Sequence, residues 1–121
     1  MLNFAPRSRV FLALGVTDMR KSFDTLAELV RSALGEDPLS GHVFVFCNRA
    51  RNRIKVLAFD RGGFWLLARR LERGTFAWPK SEGRDGRRLE MRASELAALL
   101  DGIDLSSARR RAWYESKSVA I

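Results

Sequence analysis

The chain has 121 residues, 46% of them hydrophobic and 10% aromatic, which suits one compact domain with a real core and excludes a disordered polymer. A single cysteine, Cys47, excludes an internal disulfide framework, and no apolar run reaches the ~20 residues that span a bilayer. The formal net charge of +8 excludes an acidic, self-solvating chain and directs attention to polyanionic partners.

Arg9 to Leu14 is a short apolar run stopped by Gly15 and reads as a buried first strand. Thr17 or Asp18 is placed to cap a helix running to about Leu34, and Gly35 supplies the left-handed residue that helix ends favour. Phe23, Leu26, Ala27, Val30, Ala33 and Leu34 fall on one stripe of that helix. Residues 36–41 form a polar turn with Pro38 and Gly41. Beyond it the pattern becomes strand-like: Val43 to Cys47, Arg53 to Phe59 and Phe64 to Arg70, joined by 48–52 and 60–63. Links this short join only antiparallel neighbours, so a meander is expected at the centre of the fold.

Thr75 to Trp78, between Gly74 and Pro79, is expected to pair at an edge, and a strand is expected around Arg88 to Met91. Ser94 opens a second helix with Leu96, Leu99, Leu100 and Ile103 on its apolar face, and Gly102 marks its end. The fold class is therefore α+β, an antiparallel β-sheet (meander) with two amphipathic helices in the order β-α-β-β-β-(β)-(β)-α. Residues 1–105 are expected to form a single domain and residues 106–121 a frayed C-terminal tail. Val43 to Phe46 and Phe64 to Leu67 are apolar at successive positions, so both faces of these strands need cover. The helices, a second subunit or another protein would supply it.

The charge is unevenly placed. Residues 48–88 hold twelve Lys or Arg against four acids, and the rest of the chain carries ten of each sign. Arg49, Arg51, Arg53 and Lys55 alternate, and on extended chain they would project from one face to meet successive phosphates. Arg69, Arg70 and Arg73, at the end of a neighbouring strand, extend that basic surface. Trp65 and Trp78 could stack on bases, although tryptophans in apolar runs more often pack in a core. No recognition helix is evident. Asp18, Asp60 and Glu72 suggest structural roles: a helix cap, a Gly-rich turn and a partner for nearby arginines. His42 and Cys47 cannot complete a zinc set, and there is no P-loop, GxGxxG turn or nucleophile-base pairing. No enzyme activity, metal or other cofactor is expected.

Gly15-Val-Thr-Asp-Met-Arg-Lys21, Asp37-Pro-Leu-Ser-Gly41 running into Val43-Phe-Val-Phe46, Asn48-Arg49, Ile54-Lys55-Val56-Leu57, Phe59-Asp60, Arg70-Leu-Glu-Arg-Gly74 and Phe76-Ala-Trp-Pro79 occur in linked order. From about Arg7 to Leu105 the chain resembles the TnpB accessory family of the sixty-six family of bacterial insertion sequences. It departs from that pattern at Phe59, where tryptophan is usual, and at Ala68, where an aromatic is common. The resemblance implies a non-catalytic auxiliary protein encoded beside a transposase and needed for the movement of the element. Residues and resemblance together lead to two expectations. One is a cytoplasmic accessory factor of insertion-sequence transposition that contacts DNA through Arg49, Arg51, Arg53, Lys55, Arg69, Arg70 and Arg73. The other is a protein-bridging module that binds the transposase or self-associates as a homo-oligomer without touching DNA. Neither involves a membrane or a small-molecule substrate.

Overall fold

The computed structural model describes residues 8–80, 87–101, 103–104 and 109–110. Its elements are β1 (Val10–Ala13), α1 (Phe23–Ser32), β2 (Val43–Cys47), β3 (Arg53–Asp60), β4 (Gly63–Arg70), β5 (Arg88–Met91), α2 (Ala93–Leu100), β6 (Ile103–Asp104) and β7 (Arg109–Arg110). Five strands form one sheet in the order β4-β3-β2-β1-β5, and β6 pairs with β7. The meander β2-β3-β4 is antiparallel, as its short links require. The connection through α1 is long enough for a parallel crossover, and β1 does pair in parallel with β2, Val10 opposite Val43. The sheet is therefore mixed, with β5 antiparallel on the far side of β1.

Uninterrupted apolar runs in β1 and β2 are explained by cover on both faces. On one face Phe11, Phe44, Phe46 and Leu57 pack against Leu26, Ala27 and Val30 of α1. On the other, Val10, Leu12, Val43, Val45 and Ile54 pack against Leu96 and Leu99 of α2 and against Leu71 and Phe76. Each large side chain buried this fully stabilises the fold by roughly 1.5–3 kcal/mol. The register keeps the two sets apart, because a slip of one residue would exchange the faces.

Local departures from expectation have identifiable causes. Thr17 and Asp18 do not open α1. The Thr17 amide donates to the Cys47 carbonyl at 2.9 Å, tying this loop to the end of β2, while Asp18 accepts from the Arg20 amide and side chain. The helix starts later, after Ser22, whose backbone N–H donates to Thr25 Oγ1 at 2.9 Å. Gly35 has a φ of 66°, as a closing residue should. At α2 the capping position is Arg92 instead of Ser94, because Glu95 Oε1 accepts the Arg92 amide at 2.9 Å. Gly102 lies outside the described residues. Thr75 to Trp78 forms no strand; only the Phe76 amide reaches across, to the Arg51 carbonyl at 2.7 Å, as the segment folds under the α2 face. Of the expected tail, Arg109–Arg110 pairs with Ile103–Asp104, and residues 106–108 and 111–121 lie outside the described residues.

Candidate nucleic-acid interface

Antiparallel pairing carries the start of β3 and the end of β4 to the same end of the sheet. Arg53 lies directly opposite Arg70 and Ile54 opposite Arg69. Opposed residues share a face, so Arg53 and Arg70 stand together on the α1 side, and Arg69 stands on the α2 side. The turn 48–52 ends at the same place, bringing Arg49, and Arg73 follows in the bend after β4. Arg49, Arg53, Arg69 and Arg73 are exposed and have no acidic partner among the described residues. Arg70 pairs through Nε with Glu72 at 2.9 Å, an exposed contact of the kind that contributes ~0–1 kcal/mol.

Between these side chains runs an open groove of about 420 Å³, lined by Met19, Arg53, Lys55, Arg69, Arg70 and Glu72 among others. Lys55 shares the face of Arg53 but is half-buried. Its ammonium donates to the carbonyl oxygens of Met19 at 2.9 Å and Lys21 at 2.7 Å, fastening the loop that leads into α1. Arg51 also turns away from its neighbours. The backbone there is left-handed, with φ of 60°, and the guanidinium carbon lies 5.9 Å from the centre of the Trp78 ring. Its Nη1 is enclosed without a hydrogen-bond partner among the described residues. Burial pushes the adjacent Cys47 thiol up from its ordinary pKa, against a smaller pull downward from the Arg51 guanidinium. The alternation expected from 49 to 55 thus holds for Arg53 and Lys55 and is broken by the turn at Arg51.

The remaining arginines of the basic third lie elsewhere. Arg61 and Gly62, with φ of 50° and 83°, make the two-residue turn at the opposite end of β3 and β4. Arg87 donates to the Ser32 and Ala33 carbonyls and Arg88 to the Leu34 carbonyl, and Arg88 pairs with Glu36 at 3.2 Å. These two satisfy the free carbonyls at the C-terminal end of α1, where a cation also suits the helix dipole. Glu72 and Asp18 likewise hold arginines, Asp60 precedes the turn, and His42 Nδ1 accepts the Arg9 amide at 3.0 Å. Trp78 packs against the core on the α2 side, whereas Trp65 and Leu67 on the same face remain 49% and 39% exposed. The sequence left Trp65 open between a core position and an exposed one, and the exposed position is the one observed, on the outermost strand of the meander. Among the described residues no helix is long and apolar enough to cross a membrane.

Comparison with known proteins matches residues 8–110 to the family described as IS66 Orf2-like protein. The chain is 40% identical over 104 residues to the uncharacterized protein y4hO of Sinorhizobium fredii, covering 86% of this chain and 88% of that protein. It is 33% identical over 103 residues to y4jC of the same organism, covering 85% and 86%. No solved structure matches. The matched span takes in the five-stranded sheet, both helices and every arginine of the groove, and the chain belongs to the IS66 Orf2-like family.

Proposed function

We propose that this insertion-sequence accessory protein is non-catalytic and holds the DNA of a transposition complex in the cytoplasm. The contact is made by the basic end of β3 and β4. Arg53 and Arg70 form its centre, Arg49, Arg69 and Arg73 flank it, and Lys55 shapes the groove from within, while Arg51 is held against Trp78 outside it. The observation that carries this reading is the placement of Arg53 directly opposite Arg70. Like charges facing each other across strands destabilise a sheet, and a row of phosphates removes that penalty while releasing counterions. Groups this exposed contact the backbone of a duplex more readily than its base edges, so affinity with little sequence preference is expected.

Mobility shifts of the full chain on duplex DNA at two salt concentrations test the proposal. Binding should weaken steeply with salt, and Arg53→Gln with Arg70→Gln should reduce the slope of log K against log salt by about 2, one counterion set per lost phosphate. No binding at low salt, or an unchanged slope in the double variant, would remove DNA from the reading.

The exposed Trp65 and Leu67 favour a second reading, in which the protein bridges to the transposase and its arginines meet acidic patches there. Co-purification with the transposase that survives nuclease treatment would support it, and loss of the complex under that treatment would exclude it.

A further inference from the structure

The outer edge of the sheet is β4, eight residues long and mostly exposed, with Trp65 and Leu67 uncovered beside it. Long apolar edges ordinarily carry a proline, a bulge or inward charges that prevent pairing, and Phe64-Trp-Leu-Leu-Ala68 has none of these. The Leu71 amide donates inward to the Asn52 carbonyl, so the odd-numbered residues of β4 bond to β3. The alternation of an antiparallel ladder then turns the backbone groups of Phe64, Leu66, Ala68 and Arg70 outward.

We infer that this edge pairs with β4 of a second copy of the chain, antiparallel about a two-fold axis at Leu66. An axis normal to the sheet keeps each face on its own side, so every residue must meet one of the same parity. Centred on Leu66, Phe64 meets the partner's Ala68, and Trp65 meets the partner's Leu67. The two exposed apolar pairs thereby cover one another on the α2 side.

Charge selects this register. Arg69 falls opposite the partner's Gly63, and the next residue along the same row and face is the partner's Asp60, because Asp60 pairs with Gly63 in β3 and β4. The distance is two strand spacings, about 9.5 Å, within the joint reach of an arginine and an aspartate. Gly63 has no side chain to stand between them, and a Cβ built there meets nothing within 4 Å. Asp60 and Arg69 are both exposed without an ionic partner among the described residues. A centre at Leu67 instead sets Arg69 against the partner's Trp65 and leaves Asp60 unmatched. Parallel pairing stacks Arg69 and Arg70 on their own copies. The two-fold contact uses each of the two charges twice and withdraws Arg69 from the DNA contact, while Arg53 and Arg70 of both copies stay exposed on the α1 side.

Sedimentation of the full chain without DNA tests the inference separately from nucleic-acid binding. The wild type should reach twice its 13.7 kDa mass as concentration rises. Asp60→Arg and Arg69→Asp should each weaken association at least ten-fold, and the two together should restore it. Gly63→Val fills the open row from a Cβ that meets nothing within 4 Å in its own chain, and should also weaken it, with an unchanged circular dichroism spectrum. A chain that stays monomeric throughout would overturn the proposal, as would a dimer that the single charge reversals leave intact. Hydrogen exchange adds one more decisive outcome: amides of Phe64, Leu66 and Ala68 protected in a monomer would mean that another segment of the same chain covers the edge, and would overturn the proposal.

Discussion

The two edges of the sheet use arginine in opposite ways. At the β5 edge, Arg87 and Arg88 close the end of α1, Arg88 pairs with Glu36, and Arg9 grips Glu90 with contacts of 2.8 and 2.6 Å. At the β4 edge, Arg53 and Arg69 have no acidic partner among the described residues, and Arg70 shares only an exposed pair with Glu72. The residue type is the same at both edges. What distinguishes them is whether carbonyl groups and acids of the same chain are already within reach, so one set of arginines is occupied with folding and the other is left to attract something else.

Removing the occupied set should break this contrast most visibly. Arg87→Gln with Arg88→Gln leaves the last carbonyls of α1 without cationic donors and should destabilise the fold by about 1–3 kcal/mol, read from urea denaturation, while DNA affinity changes little. The unoccupied set should respond with the opposite sign. Arg53→Gln with Arg70→Gln relieves repulsion between facing cations and should raise stability by a few tenths of a kcal/mol in the same measurement. A loss of stability in that variant would mean that these arginines belong to the architecture after all.

The smallest effect concerns acid. Arg20 holds the Asp18 carboxyl down to about 2, chiefly through its side-chain hydrogen bond. A carboxyl depressed on folding contributes stability that is fully present above its unfolded pKa of about 4 and is lost as pH falls towards 2. Asp18→Asn should therefore lower the melting temperature slightly at neutral pH, with the difference from wild type vanishing between about pH 4 and pH 2. A difference that persists unchanged below that window would assign the effect to packing.

Much of the scaffold was legible because it rests on short-range signals. The links at 48–52 and 60–63 require antiparallel partners, and the apolar run of β2 is covered on both faces as its pattern requires, whereas the run Phe64 to Leu67 leaves Trp65 and Leu67 exposed. The start of α1 was misread because Thr17 and Asp18 have the chemistry of a cap, yet a long-range bond from Thr17 to β2 and a local grip on Arg20 use it otherwise. Glu95, three residues after Arg92, was the better sign for α2. The seven basic residues of the candidate interface lie near one end of the sheet but on both of its faces, and their separate duties were not readable from spacing. Lys55 is drawn to two carbonyls more than thirty positions earlier, and Arg51 is turned by a left-handed residue onto a tryptophan that arrives from a later segment. Strand order likewise depends on which distant piece completes the sheet.

That order has a consequence for how the molecule comes into being. β1 is made early but ends up between β2 and β5, and its second ladder joins Val10 to Met91. During synthesis the nascent chain must therefore keep one flank of its first strand unsatisfied until nearly the whole domain has emerged, since such non-local pairing is slow and comes after loop closure. The same late arrival delivers Arg87 and Arg88 to the end of α1, so the first helix gains its final fastening when the last strand of the sheet docks.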